Sequence, residues 1–288
     1  EQHCLKAGVP YKTVIAHRGA SYYAPEETAP AYLLARDWGV DYLELDLQRT
    51  KDGVLIALHD NNLRRTTNVE EVFPARADDP VSSFTLAELK RLDAGSWFNK
   101  AYPDRARPAY KGLKILTLDE IIDIAEGREK TGAKIDSILQ VTETGRNYPG
   151  IYIETKVPSL FPGIEKDLFK KLSARGWVGS NKTAPEGFDA GSNVGVAFTA
   201  GRVILQTFEK TSLPLLKTYM PEVPTCFLLW LDDGAMASKD PVAKPAEGQS
   251  MADFYASQEV KSEEEYELWL DFALDNGADC IGPATILK

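Results

Sequence analysis

Short apolar segments of this chain repeatedly end in ionisable residues, and that recurrence restricts the folds open to it. Thr13–Ala16 runs into His17-Arg18-Gly19-Ala20. Asp41–Leu47 (DYLELDL) alternates, with Leu43, Leu45 and Leu47 on one face and Glu44 and Asp46 on the other. After the tight turn Lys51-Asp52-Gly53, the continuous apolar run Val54–Leu58 reads as a buried parallel strand and ends at His59-Asp60. Ile151–Glu154 leads into Thr155-Lys156. Further strands are expected at Val203–Phe208, Thr225–Leu231 and Cys280–Pro283. Helices are expected over Pro25–Trp38, Thr85–Leu92, Leu116–Glu129, Pro162–Arg175, Thr211–Met220 and Ser262–Asn276. Ser96–Gly112, rich in aromatic residues and Pro, reads as loops.

Strands alternating with helices argue for a parallel sheet, either open and doubly wound or closed into a barrel. An open sheet commonly carries a Gly-rich phosphate loop after its first strand. Here the first strand ends in HRGA, without GxGxxG or GxxxxGK[ST]. A barrel instead gathers the C-terminal ends of its strands around one mouth. The expectation is therefore an α/β chain with a TIM (β/α)8-type barrel, a single catalytic domain over residues 1–288. About 90 residues separate His59 from Ile151, more than one crossover needs. That excess places an insertion at about 61–115, after the third strand. Seven strands are legible; the eighth lies between Asp232 and Ser262 or beyond Lys288.

Glu44, Asp46 and Glu154 would make a hard oxygen site, suited to Mg²⁺ or Ca²⁺ and not to zinc. Two of the three histidines, His17 and His59, sit at strand ends, where they fit an acid/base pair. His3 reads as an ordinary residue. Arg18 and Lys156 add positive charge beside the carboxylates, as a phosphoryl oxyanion requires, or neutralise those carboxylates themselves.

Composition limits the partners. With 33 basic and 43 acidic residues the net charge is −10, which disfavours a nucleic acid but leaves a small phosphate ligand open. No apolar run approaches the roughly 18–20 residues that span a bilayer. Of the three cysteines, Cys226 and Cys280 fall in apolar strands and are expected as small buried hydrophobes; with Cys4 they form neither a disulfide framework nor a zinc pattern. The chain begins at Glu1 with no methionine and no signal-peptide pattern, as after removal of a leader or inside a longer product. Nothing in the pattern sets an oligomeric state.

IAHRGASYYAPEETAPAY followed by DYLELDLQRTKDGVLIALHDNNLRRTTN resembles the glycerophosphodiester phosphodiesterase family. HRG, P-E-x-T, E-x-D, T-K-D-G and H-D occur in order and at matching spacing. The resemblance continues through YIETK (152–156) and LQTFE (205–209) to GADCIGP (277–283). It implies a TIM barrel holding one divalent cation, Mg²⁺ or Ca²⁺. Carried over residue by residue, Glu44, Asp46 and Glu154 would be the metal ligands and His17 and His59 the general acid and base. Arg18 and Lys156 would bind phosphate, with Glu26 supporting the metal shell at the substrate side. Phe208 and Trp230, near strand ends, would pack on the glycerol moiety or belong to the core or rim. The implied reaction is hydrolysis of deacylated phospholipids to glycerol 3-phosphate and an alcohol. Which histidine is acid and which base stays open, as does the nucleophile, water or the substrate's neighbouring hydroxyl. Glu27 departs from the family's commonest residue at its position, Asn. The stretch Thr66–Thr117 resembles the larger subtype with an insertion after the third strand, which points to an exported, periplasmic or extracellular protein, otherwise a cytoplasmic one. The alternatives are a phospholipase D-like or phosphoinositide-cleaving relative on the same scaffold, and a binding barrel without turnover.

Overall fold

A computed structural model describes residues 2–128, 147–229, 246–249 and 262–283. It divides into two compact units, residues 1–204 and 205–288.

The first unit opens with helix α1 (Gln2–Ala7), strand β1 (Ile15–Ala16) and helix α2 (Ala29–Asp37). β1 is shorter than the four-residue apolar run suggests. α2 starts at Ala29, not Pro25, because Glu27 is left-handed (φ 56°) and Thr28 is extended. Pro30 then occupies an early position, where its missing N–H costs nothing. Strand β2 (Tyr42–Arg49) pairs in parallel with β1 and with β4 (Gly150–Thr155). Seven of the eight residues of β2 and all six of β4 are buried, so both faces of both strands are covered.

Strand β3 (Leu55–Ala57) corrects the expectation of a parallel strand: it lies antiparallel to β2, with Gln48 opposite Ile56. The turn through Asp52-Gly53 is a hairpin connection, too short for the crossover of a dozen or more residues that parallel pairing needs. Thr50 closes it by accepting the Val54 N–H on its Oγ1 (2.9 Å).

The insertion leaves from the end of β3 and returns beside it, where the Ala57 N–H donates to Leu116 O (3.0 Å). It packs its own apolar cluster on Ile56 and Leu58, from Leu63, Val69, Val81, Phe84, Leu89 and Leu92 among others. At about 1.5–3 kcal/mol per fully buried large side chain, such a cluster is ample to hold the excursion in place. Within it are short helices α3 (Val69–Val72), α4 (Leu86–Leu89) and α5 (Ser96–Ala101). α4 has the expected capping box between Thr85 and Glu88. α5 corrects the loop expected at Ser96: the Asp93 carboxylate accepts the N–H groups of Gly95 and Ser96 and starts a helical turn. Helix α6 (Leu118–Ala125) follows with a second capping box, Thr117 with Glu120. After β4 comes α7 (Ile164–Ala174).

Strand β5 (Val203–Thr207) spans the boundary of the units. The second unit continues with α8 (Ser212–Tyr219), β6 (Thr225–Leu229), α9 (Glu263–Asp275) and β7 (Cys280–Pro283). β5, β6 and β7 run parallel in that order. Ser262 caps α9 by accepting the Glu265 N–H on its Oγ (3.2 Å). Cys226 is buried as expected, but Cys280 is exposed; among the described residues β7 pairs with β6. Neither cysteine is in a disulfide among the described residues. The expected eighth strand falls on residues that lie outside the described ones for the most part. No described helix is long and apolar enough to cross a membrane.

Candidate active site

Strand alternation places Glu44, Asp46 and Gln48 on one face of β2, two residues apart. The register sets Asp46 directly opposite Glu154 and Glu44 opposite Tyr152. Neighbouring strands lie about 4.8 Å apart, so the β2 and β4 carboxylates must meet. The ligand oxygens of Glu44, Asp46 and Glu154 lie within 4.8 Å of one another, and all three residues are buried. At an effective dielectric of about 20, each like-charged pair at that range costs roughly 3 kcal/mol. The cluster is therefore poorly stable unless cations offset it.

Two of those cations are in place. Lys156 Nζ lies 3.0 Å from Glu154 Oε1 and 3.4 Å from Asp46 Oδ1. Arg18 Nε lies 3.0 Å from Asp46 Oδ2, and the Arg18 N–H donates to Glu44 Oε2 (2.7 Å). The turn that brings Arg18 there is strained. Arg18 is left-handed (φ 60°), and Gly19 after it has φ 80°. A Cβ on Gly19 would stand 2.8–2.9 Å from Ala31 backbone atoms, so only glycine lets the turn pack on α2. Glu27, also left-handed, donates its N–H to Arg18 O (3.0 Å), and its carboxylate accepts the Asp46 N–H (2.7 Å). Val157, after Lys156, is a third left-handed residue and is β-branched. Three of the four described non-glycine residues with positive φ thus flank this cluster, the pattern of strain held at a functional site.

His59 follows β3, and its Nδ1 meets Asp60 Oδ1 at 2.7 Å. Asp60 is gripped in turn by Arg65, through Nε (2.6 Å) and Nη2 (3.0 Å). The same guanidinium grips Glu26 with 2.9 and 2.6 Å bonds. Glu26 also accepts from Arg18 Nη1 (3.3 Å), which closes a chain from His59 back to Asp46. His17 precedes Arg18 and lies within the electrostatic reach of Asp46, His59 and Glu26.

The electrostatics follow from burial and crowding. Burial, then Asp46, pushes Glu44 well above the usual carboxylate range, and the same causes bring Glu154 up to about 7. Burial and Asp46 also raise Glu27 well above that range. Burial works against the Lys156 ammonium, but Asp46 and Glu154 outweigh it and raise its pKa. Both histidines sit below 6.5, His17 through burial and Arg18, His59 through burial against the pull of Asp46 and Asp60. Burial opposes the Asp60 carboxylate, but hydrogen bonds from Arg65 and His59 prevail and hold it at about 2.

The donor set fits a divalent metal ion. It is all oxygen, anionic and convergent, and neither Asp46 carboxylate oxygen has a hydrogen bond among the described residues. Such oxygens suit a hard cation.

Glu44, Asp46, Glu154, His17, His59, Arg18, Lys156 and Glu26 thus belong to one neighbourhood within the first unit. Phe208 directly follows β5 in the second unit, and Trp230 lies outside the described residues. The sequence reading missed Asp60 and Arg65 as partners of His59, Gln48 beside the carboxylates, and Glu27 as the acceptor of the Asp46 N–H. An Arg six residues after His59, in a loop with two carboxylates near in sequence or motif, was the available signal for Arg65.

The glycerophosphoryl diester phosphodiesterase family model matches residues 17–148, which contain most of this neighbourhood. A glycerophosphodiester phosphodiesterase of Bacillus subtilis (strain 168) is 39% identical over 215 residues, 75% of this chain and 58% of the relative. One from Haemophilus influenzae is 33% identical over 72% of this chain and 52% of the relative. The chain thus spans little more than half the length of these relatives. A crystal structure from Silicibacter pomeroyi DSS-3, a glycerophosphoryl diester phosphodiesterase relative, matches with TM-score 0.56 at 18% identity. It covers 99% of this chain and 87% of that one, and at that identity it bears on the fold alone, the α/β succession of a TIM-type barrel. With the HRG, E-x-D and H-D motifs meeting around one carboxylate cluster, the chain belongs to the glycerophosphoryl diester phosphodiesterase family.

Proposed function

We propose that this chain hydrolyses glycerophosphodiesters, the deacylated phospholipids, to glycerol 3-phosphate and an alcohol, with Mg²⁺ or Ca²⁺ held by Glu44, Asp46 and Glu154. The observation that carries this reading is the convergence of three buried carboxylates with two histidines and two cations in one neighbourhood. When bound, the cation supplies polarisation of the phosphoryl oxygens.

The chain's own groups supply the rest. Arg18 and Lys156 reach the edge of the cluster and pair with the phosphate's oxygens. Glu26 holds Arg18 and Arg65 at the substrate side. His17 and His59 move the protons, one from the attacking oxygen and one to the leaving alcohol. Asp60, ionised down to about pH 2, fixes the His59 tautomer with the proton on Nδ1 and leaves Nε2 to exchange one. Depressed pKa values keep a histidine base neutral at neutral pH, and the negative charge of a bound phosphodiester favours the protonated form that the acid needs. The protein is proposed to act outside the cytoplasm.

The test is turnover of glycerophosphocholine and a panel of other head groups with Mg²⁺ and Ca²⁺ in parallel. Release of glycerol 3-phosphate that requires the cation supports the reading. Cleavage of intact lysophospholipid without cleavage of the deacylated substrates would refute it.

A further inference from the structure

β2 runs past Asp46, and its next residue on the same face is Gln48, fully buried. Its Nε2 donates to Leu58 O (2.5 Å) and to Asp60 O (2.8 Å), the two carbonyls that flank His59. The β2–β3 ladder ends at Leu47 opposite Ala57, and Leu58 N–H to Asp46 O (2.9 Å) is the last main-chain bond before His59. From there the side chain of Gln48 takes over the work of the ladder. Only an N–H donor can satisfy two carbonyls, so the amide's orientation is fixed. Its Oε1 is buried with no hydrogen bond among the described residues. An apolar side chain of that size would avoid the cost of such an oxygen, so packing alone does not account for Gln48.

We propose that Gln48 is a positioning residue for His59: by bridging the carbonyls on either side, it sets the direction in which the imidazole leaves the strand. The Asp60 contact fixes the ring about its own bonds, whereas Gln48 fixes the backbone that carries the ring. This rests on the proposed role of His59 in proton transfer.

Gln48→Met keeps the length of the side chain and removes both N–H groups. Gln48→Glu sets an oxygen against both carbonyls. The expected result, on glycerophosphocholine with added cation, is a kcat lower by about 10- to 100-fold in both variants, with KM within about twofold. In a His59→Ala background, Gln48→Met should lower kcat by less than about twofold more, because its effect acts through the missing ring. Two results would overturn the proposal: kcat within twofold of the unaltered chain in both variants, or the same fractional loss with and without His59. If Gln48→Glu does not fold, Gln48→Met decides; failure of both and of Gln48→Leu to fold assigns the amide to the fold and also overturns it. Loss in His59→Ala with unaffected Gln48 variants refutes this proposal alone. An unaltered chain with no cation-dependent hydrolysis, or a His59→Ala chain at full kcat, refutes the reading of the site instead.

Discussion

Two charge clusters of the first unit use the same residue types to opposite ends. Around β2 and β4, Glu27, Glu44, Asp46 and Glu154 are buried, and among the described residues Arg18 and Lys156 are the cations paired with this cluster. On and just after α6 and α7, Asp119, Asp123 and Glu126 face Arg175, Lys171, Arg128 and Lys182. Arg175 alone bridges Asp119 (3.0 Å), Asp123 (2.5 Å) and Glu126 (3.0 Å). The pKa directions diverge accordingly. Glu44 and Glu154 rise through burial and a like charge, while Asp119 falls because Lys171 and Arg175 outweigh its burial. The balanced cluster answers its own charge and needs nothing more. The β2–β4 cluster has an excess of negative charge that the fold does not answer, which is where a ligand of opposite charge is to be sought.

The largest expected effects lie in the unbalanced cluster. Asp46→Asn should abolish cation-dependent hydrolysis, since Asp46 touches Arg18, Lys156 and Glu154's neighbourhood at once. His17→Ala and His59→Ala should each lower kcat by at least about 100-fold. Either histidine variant within tenfold of the unaltered chain would break the proposed proton transfer. Next, Arg65→Ala frees Asp60 and Glu26 together and should cost about 10- to 100-fold in kcat, the range for an outer partner of a catalytic group.

Stability should move the other way. In chelator, Glu44→Gln should raise the thermal midpoint, by about 2–4 °C for each kcal/mol of repulsion and desolvation removed. The pH dependence has a definite sign. Glu154 titrates at about 7 in the folded chain against 4.5 ordinarily, so the folded state binds the extra proton. Stability of the chelated protein should therefore fall as pH rises from about 4.5 to about 7, and Glu154→Gln should flatten that slope. A slope unchanged by Glu154→Gln would remove the electrostatic contrast. The smallest effects belong to the balanced cluster. Arg175→Ala should leave hydrolysis unchanged and cost about 1 kcal/mol in denaturant unfolding, and Lys171→Ala less. Asp119, depressed in the folded state, adds stability above its ordinary range that is lost as pH falls through its folded value.

The carboxylates and histidines were legible because they interrupt apolar runs at strand ends, where a charged residue has no local reason to sit. The capping box at Thr85 and the Ser262 cap were legible from short-range pattern, and both are formed. What stayed hidden depends on contacts distant in sequence. VLIAL is apolar on both faces in either pairing, so its composition does not distinguish the hairpin partner from a parallel strand. Gln48 is a neutral residue on a strand, and its role exists only because β3 ends opposite Leu47. Glu27 shows as a departure from the motif, but its bond to the Asp46 N–H arises from the left-handed turn that folds it over β2. The α5 helix is started by the Asp93 carboxylate, three residues ahead of a segment whose aromatic and proline content reads as loop.

If a divalent cation answers the charge excess on β2 and β4, hydrolysis requires it. The most direct measurement is release of glycerol 3-phosphate from glycerophosphocholine by the purified chain, before chelation, after it, and after returning Mg²⁺ or Ca²⁺. Chelation is expected to abolish release and one of the two cations to restore it, but not in Asp46→Asn. Full activity in the chelated, metal-free chain would contradict it.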